Sequence, residues 1–287
     1  MELLPVTKKT VFGLLAPRAA DSHKGAYGKV LALCGCEKYR GAAALCVLGA
    51  LRAGAGLVTL AAPEAVCAAV APRAPEATFL PNAGPGEVAA ALASPRTVLL
   101  AGCGLEDDAV SAARVKQALA AARGPVVLDA GGLSALAGPE CETLLAHTAA
   151  GVPLVLTPHP GEMARIAGLT VPQVQQRRAD VAAGFARATG AVVVLKGHRT
   201  LTAAPDGRVW VNETGNPGLA RGGSGDVLAG IIAGLAAAGL SPRHAALCGV
   251  WLHGAAADRC AARLSQQGML PEDILADLCA IFLENKR

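Results

Sequence analysis

Short apolar runs alternate along this chain with longer segments in which apolar residues recur at helical spacing. Helical spacing is clear at 42–52 and 109–122, and glycine and proline residues separate such segments from their neighbours. Strands that alternate with helices are typical of a largely parallel sheet covered on both faces. The pattern therefore predicts an α/β fold, and without a linker or repeat residues 1–287 are expected to form one domain. The continuous apolar runs predict buried strands, at 30–34, 57–61, 97–101, 125–128, 154–156 and 191–195.

Other segments depart from this alternation. Residues 1–20 predict a helical lead-in, which Thr7 caps and Pro17 ends. Residues 199–203 and 208–211 predict a β-hairpin around a Pro-Asp-Gly turn. The pattern also predicts longer helices, at 172–189, 226–238, 243–264 and 272–284.

The chain turns from polar and glycine-rich to apolar and helical at the sequence Gly-Gly-Ser-Gly-Asp, residues 222–226. Glycine lets a backbone turn tightly and approach a ligand closely. A helix that begins near Ser224 exposes unpaired N–H groups, which attract phosphates, and its dipole favours an ionised Asp226. A phosphate cradle beside a carboxylate is typical of phosphoryl transfer, with Asp226 as general base. A simple turn followed by a helix cap is the other interpretation of this segment.

Polar clusters follow several of the predicted strands, at the sheet edge where α/β proteins bind ligands. In the sequence Thr-Pro-His-Pro-Gly-Glu at 157–162, two prolines fix the backbone and hold His159 exposed at a helix start. Such a histidine suits substrate contact. Glu162 either serves a cation such as Mg²⁺ through water or complements the helix dipole.

A basic cluster directly follows the strand predicted at 191–195. Lysine, arginine and threonine around a glycine can neutralise and hydrogen-bond a polyphosphate. A solvated hairpin is the alternative, but the glycine segment at 222–226 favours nucleotide binding. The residues of this cluster are Lys196, Gly197, His198, Arg199 and Thr200.

Three other positions are less specific. Gly102-x-Gly104 follows a strand and fits either a phosphate loop or a left-handed turn. Asp129, at the end of another strand, either faces a ligand or caps the next turn. His253 lies on an alanine-rich helix, where we expect it to be packed in the interior.

Composition excludes several classes of protein. Hydrophobic residues make up 53% of the chain but aromatic residues only 3%, so alanine and glycine supply much of the apolar character. The apolar stretch 227–240 is short for a bilayer, and its Gly230-x-x-x-Gly234 pair predicts close helix packing in a non-membrane fold. A net charge of +4 without a basic run argues against nucleic-acid binding.

Cysteine usage indicates a reducing compartment. The nine cysteines are scattered singly, without a CxxC pair, and most lie in apolar surroundings. Reduced, buried thiols are the expected state. The N-terminal segment also lacks the pattern of a signal peptide, so a cytoplasmic protein is expected.

The ordered set of these motifs resembles the ADP/ATP-dependent NAD(P)H-hydrate dehydratase family of the ribokinase-like superfamily, in its stand-alone form without an epimerase domain. The resemblance covers the chain from about Lys24 to the C-terminal helices. It implies a ribokinase-like three-layer α/β/α fold with a largely parallel central sheet. The motifs that carry it are KGAYGKVLALCG, RAGAGLVTL, AGCGL, LTPHPGE, VVLKGHRT, NETGNPGLARGGSGDVLAG and WLHGAAAD.

The family converts the (6S) hydrate of NADH or NADPH back to the reduced coenzyme and consumes ADP or ATP. The resemblance implies Mg²⁺ as a cofactor that bridges phosphates, and a homotetramer. It implies that Asp226 takes the proton of the hydrate hydroxyl while the N–H groups of Gly223, Ser224 and Gly225 stabilise the transferring phosphoryl group. Lys196, Gly197, His198, Arg199, Thr200 and Gly225 would hold the nucleotide, and Ala42, Gly104, His159 and Asp226 would contact the hydrate.

This chain departs from the family pattern at a few positions. Ser224 replaces a frequent threonine but keeps the hydroxyl, and Cys103 stands where proline is common. Asp129-Ala130-Gly131 lacks the second aspartate of many members, so no metal role is assigned to that position, and the metal ligands stay open. Two alternative functions remain, a ribokinase-like small-alcohol kinase of the hydroxyethylthiazole kinase type and a non-catalytic nucleotide-binding module.

Overall fold

The computed structural model describes residues 2–138 and 147–284. Ten strands among them form one sheet in the order β1-β10-β9-β8-β7-β6-β5-β2-β3-β4. Neighbours are parallel, except that β9 runs antiparallel to both β8 and β10. The strands are β1 Leu3–Pro5, β2 Lys29–Leu33, β3 Leu57–Ala62, β4 Thr78–Pro81, β5 Thr97–Ala101, β6 Val126–Leu128, β7 Leu154–Leu156, β8 Val192–Leu195, β9 Leu201–Ala203 and β10 Val209–Val211.

Helices cover both faces of this sheet, and two hydrophobic clusters fill the space between the layers. On one face lie α1 Lys8–Leu14, α2 Arg40–Ala53, α3 Glu64–Val70, α10 Ser224–Ala237, α11 Pro242–Gly268 and α12 Asp273–Glu284. On the other lie α4 Pro85–Leu92, α5 Ala109–Ala121, α6 Gly131–Ser134, α7 Pro160–Ala167, α8 Val171–Gln176 and α9 Arg178–Thr189. The predicted α/β/α layers and the largely parallel sheet are therefore confirmed.

The strands and helices with a strong local pattern lie where the sequence predicts them. Thr7 caps α1 through its side chain, and the hairpin of β9 and β10 forms around the predicted turn. Helix α10 begins at Ser224, as expected. Helix α11 contains a break at Ser265, whose φ of 68° is left-handed, just beyond the predicted end of the helix.

Three predictions about secondary structure are wrong. Residues 3–5 form β1 instead of the start of a helix, because they pair with β10 about 200 positions later in the chain. Strand β4 was not predicted, since it is short, lies at the sheet edge and is only partly buried. The helix predicted at 172–189 is divided at Arg177, where φ and ψ of −135° and 42° leave the helical range.

Close packing of α10 on α2 positions the start of α10. A Cβ at Gly230 would overlap the carbonyl oxygen of Cys46, and one at Gly234 would overlap that of Ala50. Helix α10 is buried along nearly its whole length. The glycine pair thus lets two backbones meet inside the protein, as predicted. No helix in the described ranges is long and apolar enough to cross a bilayer.

Gly230→Ala is expected to lower the free energy of unfolding by about 1–3 kcal/mol, the cost of overpacking a core. The added methyl group forces α10 away from α2. Denaturant unfolding measures the change. The matched control is Gly184→Ala in α9, where a Cβ would meet nothing within 4 Å. That variant is expected to gain about 0.5–1 kcal/mol from helix propensity, and an equal loss in both variants would contradict the packing explanation.

Most of the described cysteines are buried and none is in a disulfide, as predicted. Cys36 and Cys279 are only partly buried. The remaining cysteine of the sequence, Cys141, lies outside the described residues.

Candidate active site

A deep cleft opens at the carboxyl ends of the strands, where the start of α10 meets the residues that follow β6 and β8. Its volume is about 880 Å³, in the range of pockets that bind small molecules. The cleft brings together residues that are far apart in the sequence. The predicted site residues that line it are His159, Lys196, Gly197, His198, Arg199, Thr200, Gly223, Ser224, Gly225 and Asp226.

A buried ion pair forms the floor of the cleft. Asp129 follows β6, is 2% exposed, and accepts a hydrogen bond of 2.6 Å from the Lys196 ammonium group. It also accepts one of 2.7 Å from the hydroxyl group of Thr157. A second carboxylate, that of Glu162, lies 3.7 Å from the Lys196 nitrogen. Lys196 is thus held between two acids, and Asp129 faces the ligand cleft, which was one of its two predicted environments.

Asp226 occupies the first turn of α10 beside this pair. Burial raises the pKa of its carboxyl group to about 7, and the negative charge of Asp129 contributes to the increase. A hydrogen bond with Cys103 and the positive charge of Lys196 act in the opposite direction. A carboxylate with a pKa near neutrality is suited to accept a proton and release it again.

The glycine segment gives α10 an unusual start. Gly223 adopts a left-handed conformation with φ of 99° at the N-cap, which glycine tolerates best. A Cβ on Gly225 would lie 3.3 Å from the Lys196 nitrogen, so its backbone lies close to the ion pair. The Ser224 N–H already donates to the carbonyl oxygen of Arg221 at 3.3 Å, so one of the three predicted phosphate donors has a partner.

His159 has the predicted position at the start of α7, with Pro160 as the first helical residue. Its Nδ1 accepts hydrogen bonds from the N–H groups of Gly161 and Glu162, at 3.0 and 3.3 Å. Glu162 in return accepts a 2.7 Å hydrogen bond from the His159 N–H. This capping box fixes the imidazole, which stays more than half exposed. Glu162 therefore caps the start of α7 and also lies close to the Lys196 ammonium group.

The loop of the basic cluster is braced from α9 by Arg178, which sequence analysis did not identify. Its guanidinium group donates to the carbonyl oxygens of Leu195, Lys196 and His198 at distances of 3.1, 3.3 and 2.6 Å. Arg199 points outward and forms an exposed ion pair of 2.8 Å with Glu213. The cluster thus contains one lysine held in the floor of the cleft and one arginine at the surface.

Ala42 and Gly104, predicted to contact the hydrate, line neither this cleft nor the one beside it. They contact each other, because a Cβ on Gly104 would lie 2.7 Å from that of Ala42. Their neighbours Tyr39 and Leu105 line the second cleft, of about 650 Å³, which shares the residues His159 and Glu162 with the first. The two predicted residues therefore lie beside the second cleft and are partly exposed.

His253 on α11 is packed as predicted, with 6% exposure, yet it also lines the main cleft. Burial lowers the pKa of its imidazole to about 4, and the charge of Lys196 contributes. Its Nε2 has no hydrogen-bond partner among the described residues. Only the fold reveals this position, because a histidine on an apolar helix carries no local signal of a site.

The carboxylates of Asp129 and Asp226 are the best candidates for a cation in this cleft. One oxygen atom of each and the Cys103 sulfur all lie within 4.8 Å of one another. Mg²⁺ takes hard oxygen ligands, so the two carboxylates fit it and the thiol does not.

Comparison with known proteins finds similarity over most of the chain. The family model for NAD(P)H-hydrate dehydratase matches residues 30–279. A bifunctional NAD(P)H-hydrate repair enzyme from Moorella thermoacetica is 45% identical over 270 residues, which is 91% of this chain and 50% of that protein. The chain thus spans about half the length of this curated relative.

Two crystal structures share the fold along the whole chain. One is the ADP/ATP-dependent NAD(P)H-hydrate dehydratase from Bacillus subtilis co-crystallised with ATP and Mg²⁺, with a TM-score of 0.87, 36% identity and 99% coverage of both chains. The other is a ribokinase-like superfamily protein from Enterococcus faecalis, with a TM-score of 0.83 and 26% identity. It covers 99% of this chain and 96% of that chain. The predicted ribokinase-like fold is thereby confirmed.

Proposed function

The chain belongs to the NAD(P)H-hydrate dehydratase family, and from that premise we propose that it restores NADH or NADPH from the (6S) hydrate at the expense of ADP or ATP. The observation that carries the proposal is Asp226. This carboxyl group lies at the N-terminus of a buried helix, in a cleft of about 880 Å³, and its pKa is raised to about 7. It supplies a base at the point where a helix start favours phosphate.

The reaction follows from the chemistry of the hydrate. Hydroxide is a poor leaving group, so the hydroxyl group is first phosphorylated. Asp226 accepts the hydroxyl proton as the oxygen attacks the terminal phosphorus, and the bond from phosphorus to the leaving nucleotide breaks. The nitrogen lone pair of the ring then expels phosphate, and loss of a proton from the neighbouring ring carbon restores the double bond. ADP gives AMP and phosphate in this sequence, and ATP gives ADP and phosphate.

The other residues of the cleft position the reactants. Lys196 and the loop to Thr200 hold the phosphates, while the backbone N–H groups of Gly223 and Gly225 stabilise the transferring group, since that of Ser224 already has a partner. The hydrate lies toward the second cleft, where His159 borders both spaces. Ala42 and Gly104 adjoin Tyr39 and Leu105 of that cleft, and their contact with the hydrate stays part of the proposal.

We also propose a Mg²⁺ requirement, in which Asp129 supplies the carboxylate nearest the phosphates and Asp226 stays free to accept the hydroxyl proton. Carboxylate oxygen is a hard ligand that fits this cation. Mg²⁺ held there would neutralise negative charge that develops on the phosphates during transfer.

Three broader expectations belong to the same proposal. Residues 1–287 form a single domain, since one sheet runs through the described ranges. The protein works in the cytoplasm, in keeping with its free thiols. It assembles as a homotetramer without nucleic-acid or membrane partners.

The test is a coupled absorbance assay. Purified protein is mixed with NADH hydrate and Mg²⁺, ADP or ATP is added to separate samples, and the near-ultraviolet absorbance of reduced nicotinamide is followed. Recovery that requires a nucleotide supports the proposal and identifies the donor. Samples without nucleotide and samples with a metal chelator are the controls.

The same experiment separates the two alternatives. Folded protein that binds nucleotide but never restores NADH or NADPH contradicts the proposed function. Nucleotide consumption with a small alcohol as acceptor would then support a kinase of the hydroxyethylthiazole kinase type. Binding without consumption would support a nucleotide-binding module.

The pH dependence tests the role of Asp226. We expect kcat/KM to rise with pH, with a midpoint near the Asp226 pKa of about 7, because only the ionised carboxylate accepts a proton. Asp129→Asn removes the negative charge that helps to raise this pKa, so the midpoint should move to lower pH. Rate measurements across the pH range on both proteins give the comparison. An unchanged midpoint in the variant would contradict the assignment.

A further inference from the structure

Three buried cysteines meet beneath the active site. Cys34 follows β2, Cys46 lies on α2 and Cys103 follows β5, and each has an exposed fraction of 0%. Their three sulfur atoms all lie within 4.8 Å of one another. The fold therefore assembles a sulfur cluster from three separate segments of the chain.

The three thiols of the cluster are hydrogen-bonded. Those of Cys34 and Cys46 donate to backbone carbonyl oxygens at 3.7 and 3.3 Å, and the three cysteines also hydrogen-bond one another. The Cys103 thiol donates to the Asp129 carboxylate at 3.9 Å.

The spacing of the sulfur atoms suits a metal ion. Zn²⁺ binds thiolate sulfur at about 2.3 Å, which places tetrahedral sulfur ligands about 3.8 Å apart. The observed limit of 4.8 Å requires only small side-chain rotations to reach that distance. One oxygen atom each of Asp129 and Asp226 lies within the same distance of the Cys103 sulfur, so the two carboxylates stand at the Cys103 side of the cluster.

We propose that Cys34, Cys46 and Cys103 form a binding site for a thiophilic divalent cation of the Zn²⁺ and Cd²⁺ class, with three sulfur ligands from the protein. Each thiol that binds the ion releases its proton. Asp226 lines the cleft and gives the ion a route from solvent to the sulfur atoms. Mg²⁺ does not compete for the thiolates, because it prefers oxygen ligands.

Occupation of this site would inhibit the enzyme. The ion would hold Cys103 as a thiolate whose sulfur lies within 4.8 Å of the Asp129 and Asp226 carboxylates. The proposed base would thereby lose its electrostatic surroundings. Only this consequence rests on the proposed function, since binding itself is measurable without substrate.

The test is a titration of reduced, substrate-free protein with Cd²⁺, followed by the ultraviolet charge-transfer absorption of cadmium thiolate. We expect one tight Cd²⁺ per chain. Cys46→Ala removes one ligand and should weaken Cd²⁺ binding by more than about 100-fold. Loss of a residue that only hydrogen-bonds a metal ligand weakens binding by less than this. The matched control is Cys248→Ala, another buried cysteine on the same face of the sheet, whose thiol contacts only a backbone carbonyl.

Two results would overturn the proposal. One is tight Cd²⁺ binding that Cys46→Ala and Cys34→Ala leave unchanged, which would assign the ion to the partly buried Cys36 or Cys279. The other is an X-ray absorption spectrum of the wild-type complex with fewer than three sulfur ligands. The spectrum needs no variant, so the proposal stays testable even when a cysteine variant fails to fold.

Discussion

Asp226→Asn is expected to lower turnover by about 10²–10⁴-fold, the usual contribution of a general base. Asparagine preserves the size of the side chain and the start of α10 but cannot accept the hydroxyl proton. The substitution also removes the repulsion between the Asp226 and Asp129 carboxylates. The fold and nucleotide binding should therefore be retained. The coupled absorbance assay measures turnover, and calorimetry measures nucleotide affinity.

The matched control is Asp277→Asn in α12, a second buried carboxylate, which pairs with Arg263 at 2.9 Å outside the cleft. That variant should lose stability but keep normal turnover per folded molecule. Near-normal turnover in Asp226→Asn would remove this residue as the base. Loss of turnover in both variants would assign the effect to folding instead of chemistry.

Lys196→Met is expected to lower the free energy of unfolding by about 3–5 kcal/mol, because it leaves a buried charge without its partner. The Asp129 carboxylate is 3% exposed and the lysine side chain 18% exposed, so water screens the pair poorly. The same change removes a positive charge from the proposed phosphate site. Denaturant unfolding should show the loss of stability, and calorimetry a weaker affinity for ADP and ATP.

The matched control lies in the same loop. Arg199 forms an ion pair with Glu213 in which both side chains are more than half exposed. Arg199→Ala should therefore cost no more than about 1 kcal/mol, as exposed ion pairs usually do. Equal stability losses in the two variants would show that burial does not govern the strength of the Lys196 pair.

Sequence analysis located the parts of the site that rest on local chemistry. The start of α10 at Ser224 and the cap at His159 follow from glycine, proline and histidine at fixed offsets along a few residues. The central strands were equally clear, because each is a continuous apolar run buried on both faces. Roles assigned to single residues of the site stay predictions that the proposed variants test.

Strand β1 shows where such analysis fails. Three residues at the sheet edge carry too little pattern to indicate a strand, and their partner lies far along the chain. The contacts of Ala42 and Gly104 with the hydrate stay predictions, because a motif shows that a residue is near a site but not which atoms touch the ligand.

By itself the sequence determined the layered α/β fold, the helix that carries Asp226 and the family of the protein, because periodicity, caps and ordered motifs are properties of neighbouring residues. Only the tertiary structure decided that Asp129 holds Lys196, that the pKa of Asp226 is raised, and that three scattered cysteines meet. Ion pairing, desolvation and metal coordination depend on distances of a few ångströms between groups on different strands and helices. Those distances are fixed by the packing of the whole sheet.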